Sequence, residues 1–400
     1  MVFKNIIPTA SPLEDRRKII FISCVKKPPY LEYRFYFDHL IAHNFDVEFW
    51  DLSRLFGVGD APCSNVAYVI QFESRRKVIE HIKRNSTNLF VILFNIEYRF
   101  LWIYRLLSKY RCKIFYFSWG HFPRAKTDKK HTFFDALMSP KNIYKKFIMY
   151  FYKYMKLTRD CEGIFFAGDK RKEHLETKKY IPINLPDFEE YCDLLSGLAL
   201  DTKDIPTEKY LVFLDSYLPF HPDFRRNNLP TIDPERYRVG ISNFFKKVED
   251  DLGMRIIIAA HPKSEYPLGY FGKRVLIKNK TAQLVMKSQG VISHYSTSTA
   301  HAVLWRKPIL FISSYDIRHC AGAEYMELIT TAMAKELNMP LYNIDHLPKT
   351  VSFPEVRENV YEEYKRKYIT TNTCFEKRNK DIMLQTFLKA TSHSMSSGSL

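Results

Sequence analysis

Ten short runs of β-branched and aromatic residues, separated by helix-length stretches, constrain this chain more than any other feature. They are KIIFIS (18–23), DVEFWDL (46–52), LFVILFN (89–95), KIFYFSW (113–119), GIFFAG (163–168), KYLVFLD (209–215), MRIIIAAHP (254–262), RVLIK (274–278), GVISH (290–294) and KPILFIS (307–313). Such alternation indicates α/β architecture with parallel sheets and crossover helices. The runs fall into two groups around Tyr180–Pro206, a stretch with several prolines, acidic residues and no strong strand. Two doubly wound domains are therefore expected, 1–200 and 201–385, with the Ser-rich end 386–400 disordered.

Other function classes are narrowed by composition. No run of about 20 apolar residues spans a bilayer, and the start MVFKNIIPTASPLEDRRK lacks a secretory apolar region, so a cytoplasmic location is expected. Seven cysteines without a CxxC pair suggest reduced thiols and neither a disulfide framework nor a zinc site. The net charge of +17 favours anionic partners. No helix-turn-helix, zinc-finger or RNP-type signature accompanies it, and the basic residues are spread along the chain, so nucleic acid is not the expected partner. An inner-membrane surface is, because KNIYKKFIMYFYKYMKL (141–157) mixes lysines with aromatics as an interfacial helix does.

In open α/β sheets ligands bind beyond the carboxyl ends of strands, so polar residues directly after an apolar run carry the most weight. Three places qualify in the second half. Asp215 ends one run, with His221, Pro222 and Asp223 in the loop beyond; His261, Pro262 and Lys263 end another; Ser293, His294, Ser296, Thr297, Ser298 and Thr299 follow a third, at the start of a helix. Hydroxyls at a helix start can hold a phosphate, and they can equally be plain caps.

The His261-Pro262 pair, the Ser296-Thr297 pair and the AVLWRKPILFI that follows resemble the HP and S-S/T motifs of bacterial sialyltransferases and the related polysialyl and Kdo (octulosonate) transferases. A third motif of that group, D/E-D/E-G, has a partial match in Asp160-Cys161-Glu162-Gly163, with a cysteine between the acids. The resemblance implies a GT-B fold, two Rossmann-like domains facing across a cleft, with the acceptor on the first and a CMP-activated acidic sugar on the second. It implies that His261 contacts or protonates the departing CMP phosphate and that Ser296 and Thr297 hold its oxygens, with Pro262, Lys263, Ser298 and Lys307 completing the CMP site. No cofactor or metal is required of such a donor.

A carboxylate must then act as base or nucleophile, and Glu162, Asp215 and Asp223 are the candidates. Asp223 is the favoured nucleophile, for a retaining transfer to an oligosaccharide or lipid-linked acceptor in lipopolysaccharide O-antigen or capsule synthesis. Two alternatives stay open at this point. A CDP-polyol phosphotransferase of teichoic-acid type would use His221-Pro222 and His261-Pro262 together; a non-catalytic membrane-surface protein would bind no cytidine nucleotide.

Overall fold

The computed structural model describes residues 17–24, 31–57, 66–94, 97–125, 140–155, 157–169, 179–198, 201–221, 224, 230–320 and 323–392. All ten apolar runs form strands. The first half gives β1 (Arg17–Ser23), β2 (Phe45–Asp51), β3 (Val69–Gln71), β4 (Leu89–Ile92), β5 (Lys113–Phe117), β6 (Gly163–Ala167) and β7 (Tyr180–Ile183). The second gives β8 (Tyr210–Leu214), β9 (Arg255–Ala260), β10 (Leu276–Lys278), β11 (Gly290–Ser293), β12 (Ile309–Ser313) and β13 (Leu341–Asn343).

The strands build a seven-stranded sheet, β3-β2-β1-β4-β5-β6-β7, and a six-stranded sheet, β10-β9-β8-β11-β12-β13. Both are Rossmann-like: from the central strand the connections run first to one side and then to the other, which opens a crevice between β1 and β4 and again between β8 and β11. Each sheet is buried on both faces. Ile19 and Phe21 of β1 point into one core and Ile20 and Ile22 into another, as the two-residue period of a strand requires. Tyr210, Val212 and Leu214 of β8 likewise lie opposite Leu211 and Phe213.

The carboxyl ends of the two sheets face each other across a cleft. The loop after β5 crosses it: the Phe122 ring lies 6.0 Å from that of Tyr295, and the Ala125 N–H donates to the Leu328 carbonyl at 3.0 Å. The loop after β6 abuts the helix Glu358–Tyr368, where Gly168 has φ +78° and a Cβ would sit 2.2 Å from the Lys367 carbonyl oxygen. That approach and that φ together demand glycine.

The chain then returns to the first sheet. The helix Asn379–Ser392 buries Met383, Leu384 and Phe387 against it, with the Phe387 ring 5.4 Å from Phe115 and 5.8 Å from Phe165. The expected disorder beyond residue 385 therefore fails as far as Ser392, because the Ser-rich composition masks an aromatic anchor at Phe387. The stretch Tyr180–Pro206 also differs from expectation, since it supplies edge strand β7 and the helix Pro186–Leu195.

Candidate active site

Asp215 directly follows β8 and joins it to the end of β9. Its Oδ2 accepts the His261 backbone N–H at 3.0 Å; its Oδ1 accepts the Tyr217 N–H at 2.8 Å and the Tyr266 hydroxyl at 2.7 Å. Burial pushes the Asp215 carboxyl above its usual range, and the donors from His261, Tyr266 and Tyr217 only partly counter that. Tyr217 is held at φ 54°, an uncommon conformation for a bulky residue and one that costs on the order of 1–3 kcal/mol. That turn lays the Tyr217 ring parallel to His261, 6.3 Å between centroids and 10° between planes.

His261 is half-buried at the end of β9. The Lys263 backbone N–H donates to its Nδ1 at 3.2 Å, so the neutral ring carries its proton on Nε2. His221, from the loop after β8, sets its ring edge-on to His261 at 5.2 Å. Two imidazoles thus share the carboxyl end of the sheet, as the loop sequences predict. Pro262 and Lys263 are exposed beside them, while Asp223 lies outside the described residues.

Across β8, the residues after β11 divide by role. Ser293 and Thr299 turn inward and bond to each other at 3.2 Å. His294 is a core residue: its Nδ1 donates to the Ile312 carbonyl at 2.9 Å and its Nε2 accepts from the Tyr237 hydroxyl at 2.9 Å. Ser296, Thr297 and Ser298 are half-buried to exposed, and their hydroxyls bond to no described residue; Ser298 begins the helix Thr299–Leu304 without a side-chain capping bond. The Ser216 hydroxyl ties this loop to the one after β8 by donating to the Tyr295 carbonyl at 2.6 Å. Since β9 and β11 flank β8, His261 and the hydroxyl loop follow strands two spacings apart, about 10 Å between the strand axes, on either side of β8.

His301, on the same short helix, anchors it to Pro186–Leu195, with Nε2 3.3 Å from Glu190 and 3.4 Å from Asp187. Burial alone would weaken its hold on a proton, but the two carboxylates reverse that and raise its pKa.

Burial instead pushes His294 down to about 4. A histidine depressed from its ordinary 6.5 contributes stability that is full above pH 6.5 and is lost as pH falls toward 4, about 3 kcal/mol in all. His301, raised, changes its contribution only above 6.5 and does not offset this loss. Denaturant unfolding of His294→Gln should show a shallower fall of stability through this window than wild type. Equal slopes would mean that His294 is not held neutral in the fold.

Two expected site residues are placed elsewhere. Glu162 precedes β6 at the amino edge of the first sheet, with its N–H on the Ile114 carbonyl and its carboxylate 3.1 Å from Lys179. Lys307 precedes β12 at the amino edge of the second sheet, level with the start of β11, where the Val291 N–H reaches the Pro308 carbonyl. Both stand at the strand ends opposite the cleft, because a parallel crossover brings the chain back to the amino edge before each new strand. Sequence reasoning also missed Tyr217, Tyr266 and Ser216. The aromatic density of DSYLPFHP and HPKSEYPLGYF was their only signal.

Among the described residues no cluster of histidine, cysteine, aspartate or glutamate could hold a metal ion. None of their helices is long and apolar enough to cross a membrane.

No protein-family model matches this chain, and no curated protein does. Solved structures do. The wall teichoic acid polymerase TagF, in two variants each with one histidine replaced, aligns at TM-scores of 0.54 and 0.53 with 12% and 13% identity, over 95% of this chain and 90% of that chain. The calicheamicin glycosyltransferase CalG4 aligns at a TM-score of 0.44 with 10% identity, over 94% of this chain and 95% of that chain. Two parallel Rossmann-like sheets with facing carboxyl ends, a C-terminal helix returned to the first sheet and a match to TagF along nearly the whole chain identify the fold as GT-B.

Proposed function

We propose that this protein is a glycosyltransferase that moves a sugar acid, Kdo or a nonulosonic acid, from its CMP ester to a growing surface glycan. The observation that carries this reading is the pairing of His261 with the unengaged hydroxyls of Ser296, Thr297 and Ser298 across the β8/β11 crevice. When CMP leaves, negative charge grows on its phosphate. An imidazole N–H on one side and hydroxyls able to turn toward the phosphate on the other can stabilise that charge. Asp223 is the carboxylate assigned to attack the anomeric carbon, which would make the transfer retaining. The three hydrogen bonds into Asp215 suit it instead to holding the β8 and β9 ends together.

A second reading, transfer of a polyol phosphate from a CDP-polyol, is favoured by the edge-on approach of His221 to His261. It releases CMP as well. TagF, a solved structure whose fold aligns with this chain, is a wall teichoic acid polymerase. Asp223→Ala removes activity in the first reading; in the second, activity survives that change and falls with His221→Ala.

The shared premise is a cytidine site. CMP at 100 times its dissociation constant should stabilise the protein by about 2.7 kcal/mol in a thermal-shift measurement. UMP and GMP should do much less, and the double variant Ser296→Ala, Thr297→Ala should lose most of the effect. Equal stabilisation by UMP, or a CMP effect untouched by the double variant, would overturn the assignment.

A further inference from the structure

The helix Pro140–Tyr154 turns its apolar side away from the protein. Ile143, Tyr144, Phe147, Tyr150, Phe151 and Tyr154 are 51%, 61%, 63%, 71%, 41% and 76% exposed. At 3.6 residues per turn these six positions fall within an arc of about 120°. Ile148, Met149 and Tyr152, on the far side, are the half-buried ones, and the helix leans on the turn Tyr98–Phe100. A surface helix of a globular protein ordinarily does the reverse, facing its apolar stripe to the core. A contiguous exposed aromatic face of this kind marks an interaction surface.

From this inverted face we infer that the protein docks peripherally, through Pro140–Tyr154, on a bilayer containing anionic lipid. Charge selects that occupant. Residues 140–157 include Lys141, Lys145, Lys146, Lys153 and Lys156 and no acidic residue, in a chain of net charge +17. A second copy docked face to face would bring like charges together, which opposes association. A lipid headgroup layer instead offers negative charge to the lysines, an interfacial zone to the tyrosines and an acyl boundary to Phe147 and Ile143. With 15 residues the helix is shorter than the ~20 needed to span a bilayer, so it lies in the interface. This inference does not depend on which donor the cleft takes.

Vesicle flotation of the full chain tests it, with vesicles of phosphatidylcholine alone or mixed with phosphatidylglycerol. Wild type should float with the anionic vesicles, release with added salt and bind the neutral vesicles weakly. The triple variant Phe147→Ser, Tyr150→Ser, Tyr154→Ser should lose at least tenfold in partitioning with no change in unfolding midpoint, since its targets are exposed. Failure of wild type to float, or undiminished flotation of the variant, would overturn the proposal. So would a wild-type dimer that the triple variant dissociates, because the face would then belong to a second copy.

Discussion

Replacing His261 by alanine is expected to lower kcat about 100- to 1000-fold, the loss typical of removing one preorganised donor from a developing oxyanion. The fold should survive, because His261 meets Asp215 through its backbone N–H, which alanine retains. Its ring stacks on Tyr217 and meets His221 edge-on at a half-buried position, so little core volume is lost. The tautomer sharpens the expectation. With the Lys263 N–H donating to Nδ1, the neutral ring already presents Nε2–H, and no added proton is needed to bind a phosphate oxygen. The rate should then hold as pH rises above neutrality, and His261→Gln, which keeps an N–H donor at similar reach, should recover part of the loss. A rate that falls with rising pH, with His261→Gln as inactive as alanine, would identify His261 as a general acid. A His261→Ala enzyme within threefold of wild type would remove the residue from the chemistry altogether.

What the sequence made legible follows from where each signal originates. Central strands are buried on both faces and appear as unbroken apolar runs, so all of them were found. The strands overlooked, β3, β7 and β13, are edge strands of three or four residues with mixed burial, and β7 contains Pro182. An edge strand pairs on one side only and needs no continuous apolar stretch. The same geometry governed the site. Asp215, His261 and Ser296–Ser298 follow strands β8, β9 and β11, and these are neighbours, so residues far apart in sequence converge. Glu162 and Lys307 precede their strands and are carried to the other edge. The aromatic surround was not legible, because Tyr217 reaches His261 only through a left-handed turn that no local composition announces.

Asp215→Ala should destabilise the protein by about 3 kcal/mol or more, since it leaves two backbone N–H groups and the Tyr266 hydroxyl without their acceptor in a buried place, each such loss costing about 1–3 kcal/mol. Asp215→Asn is the more discriminating change. Its carbonyl can still serve Tyr217 and Tyr266 while its amide faces the His261 N–H, so about 1–2 kcal/mol should be lost and folded protein should remain for assay. As a strut, Asp215 leaves Asn-variant turnover within about tenfold of wild type, the cost of a His261 set slightly out of place. As a nucleophile it would leave none, because an amide does not displace CMP, and stability would then be a poor guide to the loss. Acid provides an independent check. A carboxyl raised by burial contributes stability that is full below its unfolded pKa of 3.8 and is lost as pH rises through the folded value. The stability gap between wild type and Asp215→Asn should therefore widen as pH falls from neutrality toward that range. A gap that narrows instead would mean the three donors outweigh burial, making Asp215 a fully ionised anchor whose charge the neighbouring His221 is placed to feel.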